Sequence, residues 1–402
     1  VPTTAVPKRI AVIGGGWAGL AAAVEVTRRG HRVTVYEMAA HLGGRAREVD
    51  FDGLLLDNGQ HILIGAYRDT LRLMQMVGVD PTQALMRTPL RVRYPDGKGL
   101  CLPPGPPWLA FGRAVLAYPG WRWTDKLALM RTAAGWTAGR FRCDPSWTVA
   151  QLTGHLPRVV RDELLDPLCV AALNTPSHQA SASVFLRVLQ DALFSGAGSA
   201  DLLLPRMRLS ALWPVPARQW LAQRGASLRT SHRVERLTPD GTQWQVDDEV
   251  ADTVVLACTA VEAARLTQDC APGWSAEARA LRYEPIVTVY ARSSGARLPE
   301  AMMALHGGDD APAQFVFDLG ALGGPDRLLA FVISGAAQWV ERGMAATVAA
   351  TLAQGTVALR PFGVEPLANV RATIEKRATF LCTPGLRRPA ARVLPGLWAA
   401  GD

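Results

Sequence analysis

Cysteine is sparse and scattered in this 402-residue chain: the six cysteines, at 101, 143, 169, 258, 270 and 382, never fall within three positions of one another. That spacing excludes a CxxC redox pair and the usual zinc patterns. The cysteines read as reduced residues, mostly in the core of a cytosolic protein. Lysine is rarer still, with only Lys8, Lys98, Lys126 and Lys376 among 43 basic residues, and the net charge is +8. No apolar run reaches the roughly 18 residues that a transmembrane helix needs. The first residues, with Pro2 and Pro7, contain no apolar h-region, so no signal peptide is expected. The positive charge permits an anionic partner. It is dispersed and accompanied by no RNA or DNA motif, which argues against nucleic acid.

What remains is a folded chain, 49% apolar and 19% charged, long enough for two or three domains. Its first sixty residues are the most informative. Ile10-Ala11-Val12-Ile13 is a short run suited to a strand buried on both faces. Gly14-Gly15-Gly16-Trp17-Ala18-Gly19 follows and fits G-x-G-x-x-G, and Leu20–Val26 continues as a helix. Gly14 permits a tight turn, Gly16 lets the backbone approach a pyrophosphate, and Gly19 lets helix and strand pack closely. The helix N-terminus, with Trp17 and Ala18, offers N–H groups and a positive dipole end to phosphates. Arg32–Tyr36 forms the second strand, and Glu37 stands at its end, where an acid accepts ribose hydroxyls. An acid there favours an unphosphorylated ribose, as in FAD or NAD.

His41-Leu42-Gly43-Gly44-Arg45-Ala46 comes next. It resembles the G-G-R signature of the amine oxidase and phytoene desaturase superfamily of flavoproteins, which selects FAD over NAD. In that superfamily the backbone and the Arg border the flavin and its pyrophosphate, a charge-assisted contact. Asp57-Asn58-Gly59-Gln60-His61 resembles a segment that runs beside the isoalloxazine there. At the other end, Leu394–Asp402 resembles the C-terminal FAD motif, a strand closing on Gly401-Asp402 whose acid binds the ribityl chain. Gly225–Thr230 and Val234–Leu237 resemble a strand pair whose Val, here Val234, contacts adenine. Relatives continue past this Asp into a helix over the flavin, so a fragment of a longer protein is expected.

The expected fold class is therefore α/β: a discontinuous, amine-oxidase-like Rossmann FAD-binding domain with an inserted α+β substrate domain. The FAD domain would comprise 1–65, 205–262 and 385–402. Residues 66–204 would form a mostly helical substrate or membrane-facing region, and 263–384 a mixed sheet–helix region. Within the first insertion, Trp108, Trp121, Trp123 and Trp136 stand among Arg113, Arg122, Lys126, Arg131, Arg140 and Arg142, with one acid, Asp125. Trp and basic residues on amphipathic helices suit an anionic bilayer surface. The competing reading is that these Trp residues fill core. A cytoplasmic protein, peripheral on the inner face of the membrane, is expected.

Asp166–Thr175, Asp201–Arg206, Leu209-Ser210, Glu375–Phe380 and Arg387–Pro389 resemble the squalene-associated FAD-dependent desaturase family over nearly the whole chain. That resemblance implies reductive removal of the hydroxyl of hydroxysqualene, with a hydrophobic polyisoprenoid as substrate and an electron donor it does not identify. An acid must protonate the leaving oxygen, and a dry pocket must protect the developing cation. His61 and Lys376 are the candidates for catalysis. The rivals are a carotenoid or phytoene-type desaturase, an amine oxidase, and a flavin-binding lipid carrier without turnover.

Overall fold

The computed structural model describes residues 6–295, 297–364 and 367–401. Its organising element is a six-stranded sheet. The first strand, β1 (Arg9–Ile13), passes through a glycine turn into helix α1 (Trp17–Arg28) and returns as β2 (Arg32–Tyr36). The sheet order is Ser227–Arg229, β2, β1, Thr253–Leu256, Leu397–Ala399 and Arg392–Leu394. The first five are parallel and the last is antiparallel. Parallel strands covered on both faces should be apolar throughout. Ile10, Ala11, Val12 and Ile13 are all buried, as are Val254 and Leu256.

A hairpin, β3 (Glu48–Phe51) and β4 (Leu54–Asp57), leads away from this sheet. Leu63–Ile64 and Leu85–Thr88 then flank Leu202–Pro205 in a small antiparallel sheet. Between them lies the mostly helical part of the chain, with its own core around Leu129, Val160, Cys169, Phe185 and Leu186. A second large sheet runs Met302–Ala304, Phe315–Asp318, Leu328–Ile333, Tyr283–Ser293 and Leu367–Phe380, antiparallel throughout. Alternation decides its two faces. Val287, Val289 and Ala291 pack in the core that includes Leu359, while Tyr290, Phe317 and Ala330 pack with Leu56, Leu202 and Leu204 of the hairpin and small sheet.

One expectation needs correcting. Ser227–Arg229 and Val234–Leu237 do not pair with each other: the former joins β2, and Leu237–Asp240 opens a separate meander. The intervening backbone is committed elsewhere. Ser231 and His232 donate to the carbonyls of Ala39 and Glu37, and Glu235 and Arg236 donate to the Asp247 carboxylate. The cysteines are all free: Cys169 and Cys382 are buried, Cys143, Cys258 and Cys270 are partly buried against hydrophobic cores, and Cys101 is exposed. Of the tryptophans, Trp121 fills core at 6% exposure, whereas Trp108 and Trp123 are 64% and 73% exposed. Among the described residues no helix is long and apolar enough to cross a membrane.

Candidate functional site

The turn between β1 and α1 is shaped by close approach. Gly14 has φ +112°, and a Cβ on it would lie 2.5 Å from the Ala257 backbone. A Cβ on Gly19 would lie 1.9 Å from the Gly14 carbonyl oxygen, so helix and strand can touch only without it. Gly16 differs: the nearest atom to a Cβ there is Gly44 Cα, at 3.8 Å. Its backbone faces the open side of the turn, where Gly43 N–H donates to the Gly15 carbonyl at 2.9 Å. Trp17 and Ala18 begin α1, whose N-terminus has no side-chain cap and no acid in its first turn. Uncapped N–H groups and the positive helix end suit an anion. Trp17 adds a buried indole Nε1 without a hydrogen-bond partner. Buried donors are rarely left so.

Glu37 closes the other side. Its buried carboxylate accepts from Gly15 N–H at 2.7 Å and from Ala39 N–H at 2.8 Å. Each oxygen keeps a lone pair for a hydroxyl donor. Val234 is buried nearby, its carbonyl taken by Arg265. The far end of the chain arrives at the same place. Ala400 N–H donates to the Leu256 carbonyl, and a Cβ on Gly401 would sit 3.8 Å from the Ala18 Cβ. Asp402 lies outside the described residues.

Arg45 reaches across to the second large sheet, donating to the carbonyls of Ala378 at 2.6 Å and Arg377 at 3.3 Å. Those carbonyls belong to an irregularity in Leu367–Phe380, where the register against Tyr283–Ser293 shifts. Lys376 stands in the same irregular stretch, exposed. Asn58 bridges the Arg45 carbonyl and the Glu375 carboxylate, and Gly59 packs against Thr288. His61 is exposed to the open cradle, although protein crowds round it. Burial first, and then the Arg45 guanidinium, push its pKa down to about 4. It is therefore neutral at physiological pH.

Beside this cradle opens a cavity of about 580 Å³. Leu54, Leu319, Leu322 and Met207 give it apolar walls, and Asp57, Gln60, Arg208 and Tyr290 bring polar atoms to them. Asp57 Oδ1 accepts from Leu209 N–H at 3.0 Å, and the Tyr290 hydroxyl donates to the Asp57 carbonyl at 2.7 Å. Burial, and then its cross-strand neighbour Glu48, raise the Asp57 carboxyl to about 6, against the Leu209 hydrogen bond and Arg208. In the sequence Asp57 stands out only as the start of Asp57-Asn58-Gly59-Gln60-His61. An acid ending the apolar run Leu54-Leu55-Leu56 was the signal available. Among the described residues no cluster of three or more His, Cys, Asp and Glu could hold a metal.

An open, uncapped glycine turn, a buried acid at the end of β2, and a C-terminal strand delivered to the same helix end form one site with the features that suit a dinucleotide. The family model for flavin containing amine oxidoreductases matches residues 17–360, and the chain belongs to that family. It is 31% identical over 274 residues to hydroxysqualene dehydroxylase of Rhodopseudomonas palustris, across 64% of this chain. The chain spans 63% of that relative's length. A shorter stretch of 71 residues is 41% identical to zeta-carotene desaturase of Synechocystis, covering 17% of this chain and 14% of that one. The crystal structure of an oxidoreductase from Methanosarcina mazei superposes with a TM-score of 0.70 at 15% identity, covering 98% of this chain and 94% of that one. The fold is thus an α/β flavoprotein fold, and the cofactor class is a flavin.

Proposed function

We propose that the chain binds FAD and reductively removes the hydroxyl of hydroxysqualene to give squalene. The observation that carries this reading is the similarity to hydroxysqualene dehydroxylase over 64% of the chain. The mostly apolar cavity beside the cradle supports it. Gly14, Gly16 and Gly19 with Trp17 and Ala18 would receive the pyrophosphate, and Glu37 the ribose. Gly43, Gly44 and Arg45 would border the flavin, with Gly59 and Gln60 beside it and Val234 near the adenine. Gly401 and Asp402 would close on the ribityl chain. When bound, FAD supplies two-electron hydride chemistry. The protein's task is to hold the polyisoprenoid in a water-poor cavity, so that the substrate loses its hydroxyl and the allylic cation left behind is not captured by solvent.

The test is an anaerobic single turnover with chemically reduced flavin and hydroxysqualene, following flavin absorbance and extracted lipid. Flavin reoxidation with one equivalent of squalene is expected. Reduced flavin that persists with no squalene would overturn the reading, and the shorter match to zeta-carotene desaturase would then favour a desaturase.

The same reading includes an anionic membrane surface as the source of substrate. Helices Pro107–Ala117 and Trp123–Ala138 present Trp108, Leu109, Leu116, Trp123 and Leu127 to solvent. Arg113, Arg122 and Arg131 are exposed among them. An apolar cavity of about 710 Å³, lined by Leu90, Leu102, Trp108 and Leu193, opens at the first helix. Exposed Trp and Leu interleaved with Arg suit the headgroup boundary. Replacing Trp108 and Trp123 together by Ser is expected to weaken binding to vesicles containing phosphatidylglycerol by at least about tenfold. Thermal stability should barely change, since both rings are exposed. Equal sedimentation of both proteins would remove this surface from the reading.

A further inference from the structure

The reductive reaction needs an acid at the leaving oxygen, and neither sequence candidate is well placed to be one. His61 is neutral at physiological pH, with its imidazole pushed down to about 4. Lys376 is exposed on an irregular strand. The cavity beside the cradle holds one carboxyl group, that of Asp57. Its other ionisable residues are Arg206, Arg208 and Tyr290. A guanidinium does not give up its proton near neutral pH. The Tyr290 hydroxyl is already committed to the Asp57 carbonyl. Asp57 also belongs to the segment that runs back to the cradle, because the adjacent Asn58 donates to the Arg45 carbonyl.

Resting on the dehydroxylase reading, we propose that Asp57 is the proton donor to the substrate hydroxyl. Its carboxyl O–H passes its proton to the substrate oxygen as the carbon–oxygen bond breaks, with the bonding pair leaving on oxygen as water. The carbon then takes up a hydride, the two-electron equivalent that this reading assigns to reduced flavin. Asp57 is left as carboxylate and regains a proton from solvent. The groups facing it are arranged for this. Glu48, paired across the hairpin, disfavours a second negative charge, and Arg208 is drawn to Glu48 at 2.9 Å. Leu209 N–H holds Oδ1 in place at 3.0 Å. Burial raises the carboxyl to about 6, so a useful fraction is protonated near neutral pH.

Asp57→Asn is the informative variant, because the amide oxygen can still accept from Leu209 N–H while the proton is gone. In the anaerobic single turnover the wild type should slow about tenfold per pH unit above about 6. The Asn variant should lose at least about 100-fold in squalene formation and lose that pH limb. Its affinity for squalene, measured by tryptophan quenching, should be unchanged. Asp57→Glu should recover part of the rate. Independently of turnover, isotope-edited infrared spectra of protein labelled with [13C]Asp should show a carboxyl band titrating near pH 6 in the wild type and absent from the Asn variant. An Asn variant within threefold of wild type, or no carboxyl band titrating near pH 6, would overturn the proposal while leaving the reaction in place. A wild type that forms no squalene would overturn both.

Discussion

Gly19→Ala is expected to give a protein that purifies without flavin and unfolds at a much lower temperature than the wild type. The added methyl would lie 1.9 Å from the Gly14 carbonyl oxygen and 3.1 Å from the Ala257 side chain. Neither neighbour can move cheaply: one is backbone at the turn, and the other directly follows the strand that pairs with β1. Relief requires α1 to lift from the sheet, disrupting the packing of Leu20, Ala23 and Val24, all of which are fully buried. Overpacking of this kind costs about 1–3 kcal/mol, and here the displaced element also carries the pyrophosphate turn. Gly135→Ala provides the contrast. It lies inside Trp123–Ala138, with nothing within 4 Å of a Cβ. The same chemical change there should stabilise by about 0.5–1 kcal/mol through helix propensity and reduced unfolded-state entropy. Flavin absorbance per protein and calorimetry on the two variants would check both signs.

The second large effect is expected at Glu37. Removing its carboxylate as Ala leaves the N–H groups of Gly15 and Ala39 without the acceptor that each now uses. A buried donor without a partner costs about 1–3 kcal/mol. Two of them, less any water that enters, give an expected loss of about 2–4 kcal/mol in unfolding free energy. On the proposed reading, in which Glu37 receives the ribose of FAD, affinity for FAD should fall by more than about 100-fold, because that acceptor and the anchor of the turn are lost together. Glu37→Gln separates these roles. Its amide has one acceptor oxygen, so one of the two N–H groups can be served. Its stability should lie between the others. Chemical denaturation for the first quantity and flavin fluorescence titration for the second are the direct measurements. A Glu37→Ala protein that retains wild-type stability would show that water replaces both bonds without cost.

The first βαβ unit was legible because its determinants are local. A turn, a close contact and a strand-end acid all lie within Arg9–Glu37, and each has a residue type that only a few conformations accommodate. The second sheet was legible only as fragments. Ile286–Tyr290 reads as a strand from its β-branched residues, but its extension to Tyr283–Ser293 depends on Leu367–Phe380 pairing along it. The break at 230–236 could not be read, since it follows from carbonyls at Glu37 and Ala39 claiming the N–H groups of Ser231 and His232. Asp57 is the clearest case at the site. Its surroundings come from Leu209 and Tyr290, 152 and 233 residues away, and no local pattern carries that information.

The small sheet of Leu63–Ile64, Leu202–Pro205 and Leu85–Thr88 has a consequence for how such a chain can diversify. Gly65 and Ala66 donate to the carbonyls of Asp201 and Ser199, so the chain leaves and re-enters at neighbouring points. Leu73, Met74, Val77 and Leu85 still pack with Ile10, Val12 and Leu20 of the parallel sheet, but the stretch from Leu100 to Leu193 forms a core largely of its own. Insertions, losses or wholesale exchange there change the reach and greasiness of the surface without shifting the register of the dinucleotide sheet. A lineage can thus alter where the protein sits, or which chain length it admits, while inheriting the redox centre intact.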